Sequence, residues 1–155
     1  MARARSRPNV LFQTYITGQL VTTLLDKYFE ASGLSSNYFG LLSALGIWGP
    51  ITPTELAARI GMRPTTLSSA LARVSKLGYV ERVPNPNDGR SYLVELSEAG
   101  DRAWRSGHPP LLASLACLER ELGDALGQVQ DAIDLLDSAT RAAIAAPVDE
   151  TAISK

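Results

Sequence analysis

The chain has 155 residues, 45% of them hydrophobic and 20% charged, with a formal net charge of -1. That is one domain's worth of sequence, long enough to bury a core of its own. No apolar run is long enough to span a bilayer and no stretch reads as a signal peptide with its cleavage site; the single cysteine, Cys117, excludes an internal disulfide, so a cytoplasmic protein with no membrane partner is expected.

The first predicted helix runs from Pro8 or Asn9 to Ala31 and carries Phe12, Ile16, Leu20, Leu24 and Tyr28 at every fourth position, a long apolar stripe. Arg3, Arg5 and Arg7 precede it. A second helix starts at Ser35, with Tyr38, Leu41, Leu42 and Leu45 facing inward. The stretch from Thr52 to Gly100 is the most informative. Thr52 suits an N-cap, Pro53 the first helical position, and Glu55 completes a capping box. Leu56, Ala57 and Ile60 form the apolar face, and Gly61 stops the helix. Only Met62 and Arg63 separate it from Pro64, where the next helix begins. So short a connection forces a steep crossing, the geometry of a helix-turn-helix.

That next helix is predicted from Pro64 to Leu77, with Gly78 as its left-handed terminator. Leu67, Leu71, Val74 and Leu77 make the buried stripe. The opposite face holds Thr65, Thr66, Ser68, Ser69, Arg73 and Lys76, and Arg63 stands just before it; the helix has no carboxylate at all. A solvated polar face is the plainer explanation, but hydroxyls and cations without acids suit phosphates and base edges. Strands follow at Tyr79 to Val83 and Ser91 to Leu96. Between them lies Pro84-Asn85-Pro86-Asn87-Asp88-Gly89-Arg90, a turn by composition. Arg90 at its tip suits a narrow minor groove, and Asp88 is placed to hold the Arg90 guanidinium. A helix pair followed by a basic-tipped hairpin is a winged helix-turn-helix.

Beyond the hairpin, Ser97 caps another helix, which Gly107, Pro109 and Pro110 must interrupt or kink. It resumes through Leu111, Leu115, Leu118 and Leu122, breaks at Gly123-Asp124, and a last helix carries Leu126, Val129, Ile133, Leu136 and Ile144. Helices this apolar at both ends point to mutual burial between two copies. From Pro147 a frayed tail is expected.

The chain resembles the MarR family of bacterial transcription regulators along nearly its whole length. The matching strings are Gly33-Leu34-Ser35, Leu41-Leu42, Gly49-Pro50-Ile51-Thr52, Glu55-Leu56-Ala57, Thr66-Leu67-Ser68, Leu77-Gly78-Tyr79-Val80-Glu81-Arg82, Asn87-Asp88-Gly89-Arg90 and Leu96-Ser97-Glu98-Ala99-Gly100. Singly they are common; in this order and spacing they are specific. The resemblance implies an obligate homodimer built on the N- and C-terminal helices, a winged helix in each subunit, and commonly a small-molecule pocket between the two parts. The expected division is 1–34 for the N-terminal dimerisation helix, 35–100 for the DNA-binding region, 101–146 for the C-terminal dimerisation helices and 147–155 for the tail.

Net charge alone argues against nucleic acid, but its distribution does not. From Arg59 to Arg105 there are eight basic residues (Arg59, Arg63, Arg73, Lys76, Arg82, Arg90, Arg102, Arg105) against five acids; from Glu119 to Glu150 there are eight acids and only Arg120 and Arg141. The basic middle faces the duplex and the acidic end faces away. Catalysis has little footing: His108 is the only histidine and sits at a helix break, so no cofactor, metal site or enzyme is expected. Tyr15, Tyr38 and Trp48 are the candidate effector-pocket residues, since aromatics with a polar tip suit an aromatic or phenolic ligand, although core or dimer packing accounts for each singly. The reading is a mainly helical winged-helix protein, a homodimeric repressor on a near-palindromic double-stranded operator, released by a small effector. The alternatives are a winged helix used for protein interaction, and an oxidant sensor acting through Cys117.

Overall fold

The computed structural model of the protein describes residues 8–148. The basic residues Arg3, Arg5 and Arg7 and the tail from 149 onward lie outside the described residues. Two compact units divide the chain, 1–114 and 115–155.

The first unit opens with α1 (Val10–Phe29), whose N-cap Asn9 accepts the Phe12 amide through its side chain at 2.9 Å. The last residues of the expected helix tighten into a 3-10 turn, Glu30–Ser32, before Gly33 at φ 69°. Helix α2 (Ser36–Trp48) is the most buried element: Phe39, Leu41, Leu42, Ala44 and Leu45 all lie in the core, while Tyr38 packs against its edge. The Ser36 hydroxyl donates to the Asp26 carboxylate and so ties α2 to α1.

Helix α3 (Pro53–Ile60) starts and stops where the capping residues dictate. The Thr52 hydroxyl accepts the Glu55 amide at 3.2 Å, and Gly61 ends the helix at φ 67°. The expected capping box forms only by half. The Glu55 carboxylate turns outward to the Arg59 guanidinium at 2.7 Å, one helical turn on, because a charged partner there outbids a single backbone amide. Helix α4 (Pro64–Lys76) buries Leu67, Leu71 and Val74. Leu77 departs from the expected stripe and is 50% exposed. It is the C-cap, and at Gly78 (φ 74°) the chain turns off the helix, so the fourth position no longer faces the core.

Strands β1 (Val80–Pro84) and β2 (Tyr92–Leu96) pair antiparallel with Val80 opposite Leu96 and Arg82 opposite Val94. Ile51 adds a bridge to Val94, with mutual bonds of 3.1 and 2.9 Å, which pins the segment before α3 to the hairpin. Helix α5 (Glu98–Ser106) is capped by Ser97, whose hydroxyl accepts the Gly100 amide at 3.0 Å. It can lie this close because of glycine. A Cβ at Gly100 would fall 1.8 Å from the Tyr79 carbonyl oxygen. Gly46 admits the Trp104 ring and Gly107 the Phe39 ring in the same way, at 2.6 and 2.2 Å from their would-be Cβ atoms. Gly107 also ends α5 as anticipated, and α6 (His108–Leu122) follows at once despite Pro109 and Pro110, which fall in its first turn where no amide is required.

In the second unit α6 ends in a short 3-10 turn, Gly123–Ala125, at the break the sequence signals, and α7 (Leu126–Ala145) follows. None of the residues of α7 is buried.

Candidate nucleic-acid interface

The candidate residues divide between α4 and the β1–β2 hairpin. On α4 the pattern that buries Leu67, Leu71 and Val74 puts Thr65, Thr66, Ser68, Ser69, Arg73 and Lys76 on the solvent side, and all six are exposed, as is Arg63 at the N-cap. The Ser69 hydroxyl donates back to the Thr65 carbonyl at 3.1 Å and keeps its lone pairs free to accept. No acid occupies the first turn of α4, so its unpaired amides and partial positive charge remain uncompensated.

At the hairpin tip the backbone is held by side chains. Asn85 accepts the Asn87 amide through Oδ1 at 3.0 Å and donates through Nδ2 to the Ser91 hydroxyl at 2.8 Å. Asp88 Oδ1 accepts the Arg90 amide at 3.0 Å. This corrects the expected Asp88–Arg90 guanidinium pair: the carboxylate shapes the turn through the Arg90 backbone, the nearer donor at this spacing, and the exposed Arg90 side chain is left to project.

One pair of groups stands out only in three dimensions. From the sequence Arg82 is one of eight basic residues with no assigned role. In the structure its guanidinium lies over the Tyr92 ring, 4.4 Å from the centroid. The alternation of β1 is the signal that could have found it, since Arg82 shares a face with buried Val80.

The three effector candidates have different surroundings. Tyr15 is 64% exposed on α1, Tyr38 packs on the core, and Trp48 lies beneath the Arg59 guanidinium at 5.3 Å. A shallow pocket of about 700 Å³ lies instead between the end of α1 and the start of α2, against Thr23, Asp26, Lys27, Glu30 and Ser36. Cys117 is half-buried with the Arg120 Nη2 at 3.6 Å from its sulfur. His108 donates Nδ1–H to the Trp104 carbonyl (2.9 Å), and its ring meets that indole edgewise. Among the described residues there is no group of three metal-ligating side chains, and no helix is long and apolar enough to cross a membrane.

A family model described as MarR family matches residues 32–91, the span from the 3-10 turn after α1 to the hairpin loop. An HTH-type transcriptional regulator of Mycobacterium bovis is 34% identical over 105 residues, covering 65% of this chain and 73% of its own. One of Mycobacterium leprae is 32% identical over 111 residues, covering 68% of this chain and 78% of its own. Among solved structures, the Mycobacterium tuberculosis regulator MosR in complex with DNA superposes with a TM-score of 0.77 at 26% identity, covering 88% of this chain and 98% of that one. A mutant of Escherichia coli MarR with operator DNA gives 0.73 at 25% identity, covering 80% and 90%. A tightly connected helix pair, an acid-free α4, a basic-tipped hairpin bridged to Ile51 and these relatives all agree: the chain belongs to the MarR family of transcriptional regulators.

Proposed function

We propose that the protein is a homodimeric, sequence-specific DNA-binding repressor whose hold on its operator is released by a small aromatic or phenolic effector. The observation that carries this reading is the exposed, carboxylate-free face of α4 beside the Arg90-tipped hairpin. In it α4 enters the major groove, with Thr65, Thr66, Ser68 and Ser69 at base edges and Arg63, Arg73 and Lys76 on phosphates. Arg90 reaches the adjacent minor groove and Asp88 keeps its turn in shape. The DNA held in the MosR structure and the operator held in the E. coli MarR structure support it.

The dimer reading rests on uncovered apolar surface. Phe12, Ile16 and Leu20 on α1 are 53%, 41% and 64% exposed, and Ile133 and Leu135 on α7 are 60% and 72% exposed. Stripes of this kind call for a second copy. Residues 1–34 and 101–146 then serve dimerisation and 35–100 DNA binding. Two recognition helices related by a two-fold axis read half-sites about 34–36 Å apart. The effector, gathered by Tyr15, Tyr38 and Trp48 in the assembled dimer, favours the arrangement that does not fit DNA.

A mobility-shift assay on genomic fragments tests the DNA reading: a retarded near-palindromic fragment is expected. If no fragment is retarded, the winged helix is a protein-interaction module. Titrating a candidate effector with and without that fragment tests release, because linkage requires the operator to weaken effector binding by the factor by which the effector weakens the operator. Equal affinities would remove the compound as an inducer.

A further inference from the structure

Antiparallel pairing places Val80, Arg82 and Pro84 on one face of the hairpin with Leu96, Val94 and Tyr92. Val80 and Val94 are buried, 7% and 2% exposed, so this is the face that closes on the core. Arg82 shares that face but is itself exposed, at the rim where the face opens to solvent. The Arg82 guanidinium has a groove to enter. Two hollows of about 320 and 100 Å³ run between the helices and the hairpin, and both are lined by Leu71, Arg82 and Tyr92. Lys76 lines one of them, hydroxyls of Thr54, Ser68 and Ser75 complete the polar lining, and neither contains an Asp or Glu. Among the described residues Arg82 makes no ion pair; its partner is the Tyr92 ring.

From this we infer that Arg82, laid flat on Tyr92, is a phosphate clamp for the DNA strand that passes between the recognition helix and the wing. The inference rests on the DNA-binding reading above and adds a contact to it. When α4 fills a major groove and the hairpin tip reaches the neighbouring minor groove, the sugar-phosphate backbone separating the two must cross the cleft between them. That cleft is the cationic, hydroxyl-lined, acid-free groove holding Arg82. A planar guanidinium offers paired donors to a phosphodiester, and the stack beneath it removes part of the rotamer freedom that a free arginine would lose on contact. Tyr92 is the positioning residue: it touches Arg82, and through Arg82 orients the donors. The contact is blind to sequence. It sets how far the helix and the wing straddle one strand.

The test uses full-length protein, fluorescence anisotropy with the retarded genomic duplex and a random duplex of equal length, and a salt series for Arg82→Gln, Arg82→Lys, Tyr92→Leu and Tyr92→Phe. Arg82→Gln should weaken both duplexes by a similar factor and lower the slope of log affinity against log salt by about one phosphate equivalent, so that its deficit shrinks about three-fold between roughly 50 and 200 mM salt. Arg82→Lys keeps the slope and loses part of the affinity, Tyr92→Leu does the same, and Tyr92→Phe matches the parent. Combined with Arg90→Ala, Arg82→Gln should lower the slope by about two. Melting curves of the Arg82 variants and of Tyr92→Phe should coincide with the parent's. An unchanged slope, or a lowered melting temperature in Arg82→Lys as well as Arg82→Gln, would assign the stack to holding the hairpin together and overturn the clamp. A parent protein that binds neither duplex would instead overturn the DNA reading itself, and is seen before any variant is made.

Discussion

The middle of this chain and its last helix solve the burial problem in opposite ways. From α2 to α5 the apolar residues close on one another within a single chain, with glycines admitting Trp104, Phe39 and the Tyr79 carbonyl to distances that any side chain would forbid. Helix α7 runs for 20 residues with none buried, and α1 buries only Phe29. Both regions are rich in apolar residues on helices. What separates them is whether the partner for the apolar face is encoded nearby in the same chain. The winged helix carries its own; the end helices do not.

The sharpest way to break that contrast is to charge the uncovered stripes. Leu20→Glu and Leu135→Glu, at positions 64% and 72% exposed, cost an isolated chain little. If the stripes meet a second copy, each loses a leucine burial of about 1.5–3 kcal/mol twice over, and the dimer weakens by about 3–6 kcal/mol. Sedimentation should then show monomers at micromolar concentration. Unchanged sedimentation for both would mean that these stripes lie outside the interface.

The converse change belongs in the middle. Gly100→Ala puts a methyl group against backbone, 1.8 Å from the Tyr79 oxygen, and backbone cannot step aside as a side chain can. We expect a loss of about 3 kcal/mol in urea denaturation. Gly89→Ala, in the wing, has open space around it and no positive φ, and should leave the transition within about 0.5 kcal/mol of the parent.

Within the interface the contrast is between reading and holding. Thr66→Ala should change preference at one base pair by about 1–3 kcal/mol. Arg90→Ala should weaken operator and random duplex alike and lower the salt slope by about one. Asp88→Ala should act more mildly, through a turn that loses the Arg90 amide bond, at about 1 kcal/mol of hairpin stability. Competition titrations over single-site operator variants separate the three, and a base preference unmoved by Thr66→Ala would take that residue away from the bases.

The smallest effect is expected on α7. Its Asp137 carboxyl sits below the ordinary carboxylate range because the Arg141 guanidinium donates to it at 2.8 Å. A depressed folded-state value means that the pair's contribution is complete above the ordinary carboxylate pKa and vanishes as pH falls through the lowered one. Both side chains are solvent-exposed, so Asp137→Asn should barely move stability at neutral pH and should only flatten its acid side. A large loss at neutral pH would show that Asp137 has a second partner in the dimer.

Local chemistry explains what was legible. Caps and terminators act over three or four residues, so Thr52, Gly61, Gly78, Ser97 and the break at Gly107 could be placed from the string alone. The exposed face of α4 followed from the same periodicity. The departures all involve a choice between partners. Glu55 had an amide and a guanidinium within reach and took the charged partner; Asp88 had the same choice and took the amide that lies nearer at its spacing. Leu77 lost its place in the stripe where the axis turned. Arg82 needed the register of two strands before its ring partner could be known, because Tyr92 is ten residues away in sequence and diagonal to it across the ladder.

Loop tips are usually where a chain frays and proteases enter. Here the amides of Asn87, Asp88, Arg90 and Ser91 are all taken, by Asn85 and Asp88. Much of the ordering entropy of the tip is therefore lost once, at folding, and not again at each encounter. Its amides should exchange slowly with solvent for an exposed loop, and protease nicking there should be rare. A tip that needs no rearrangement on arrival leaves the association rate to diffusion and orientation, so that differences among target sites are felt mainly in how long the complex lasts.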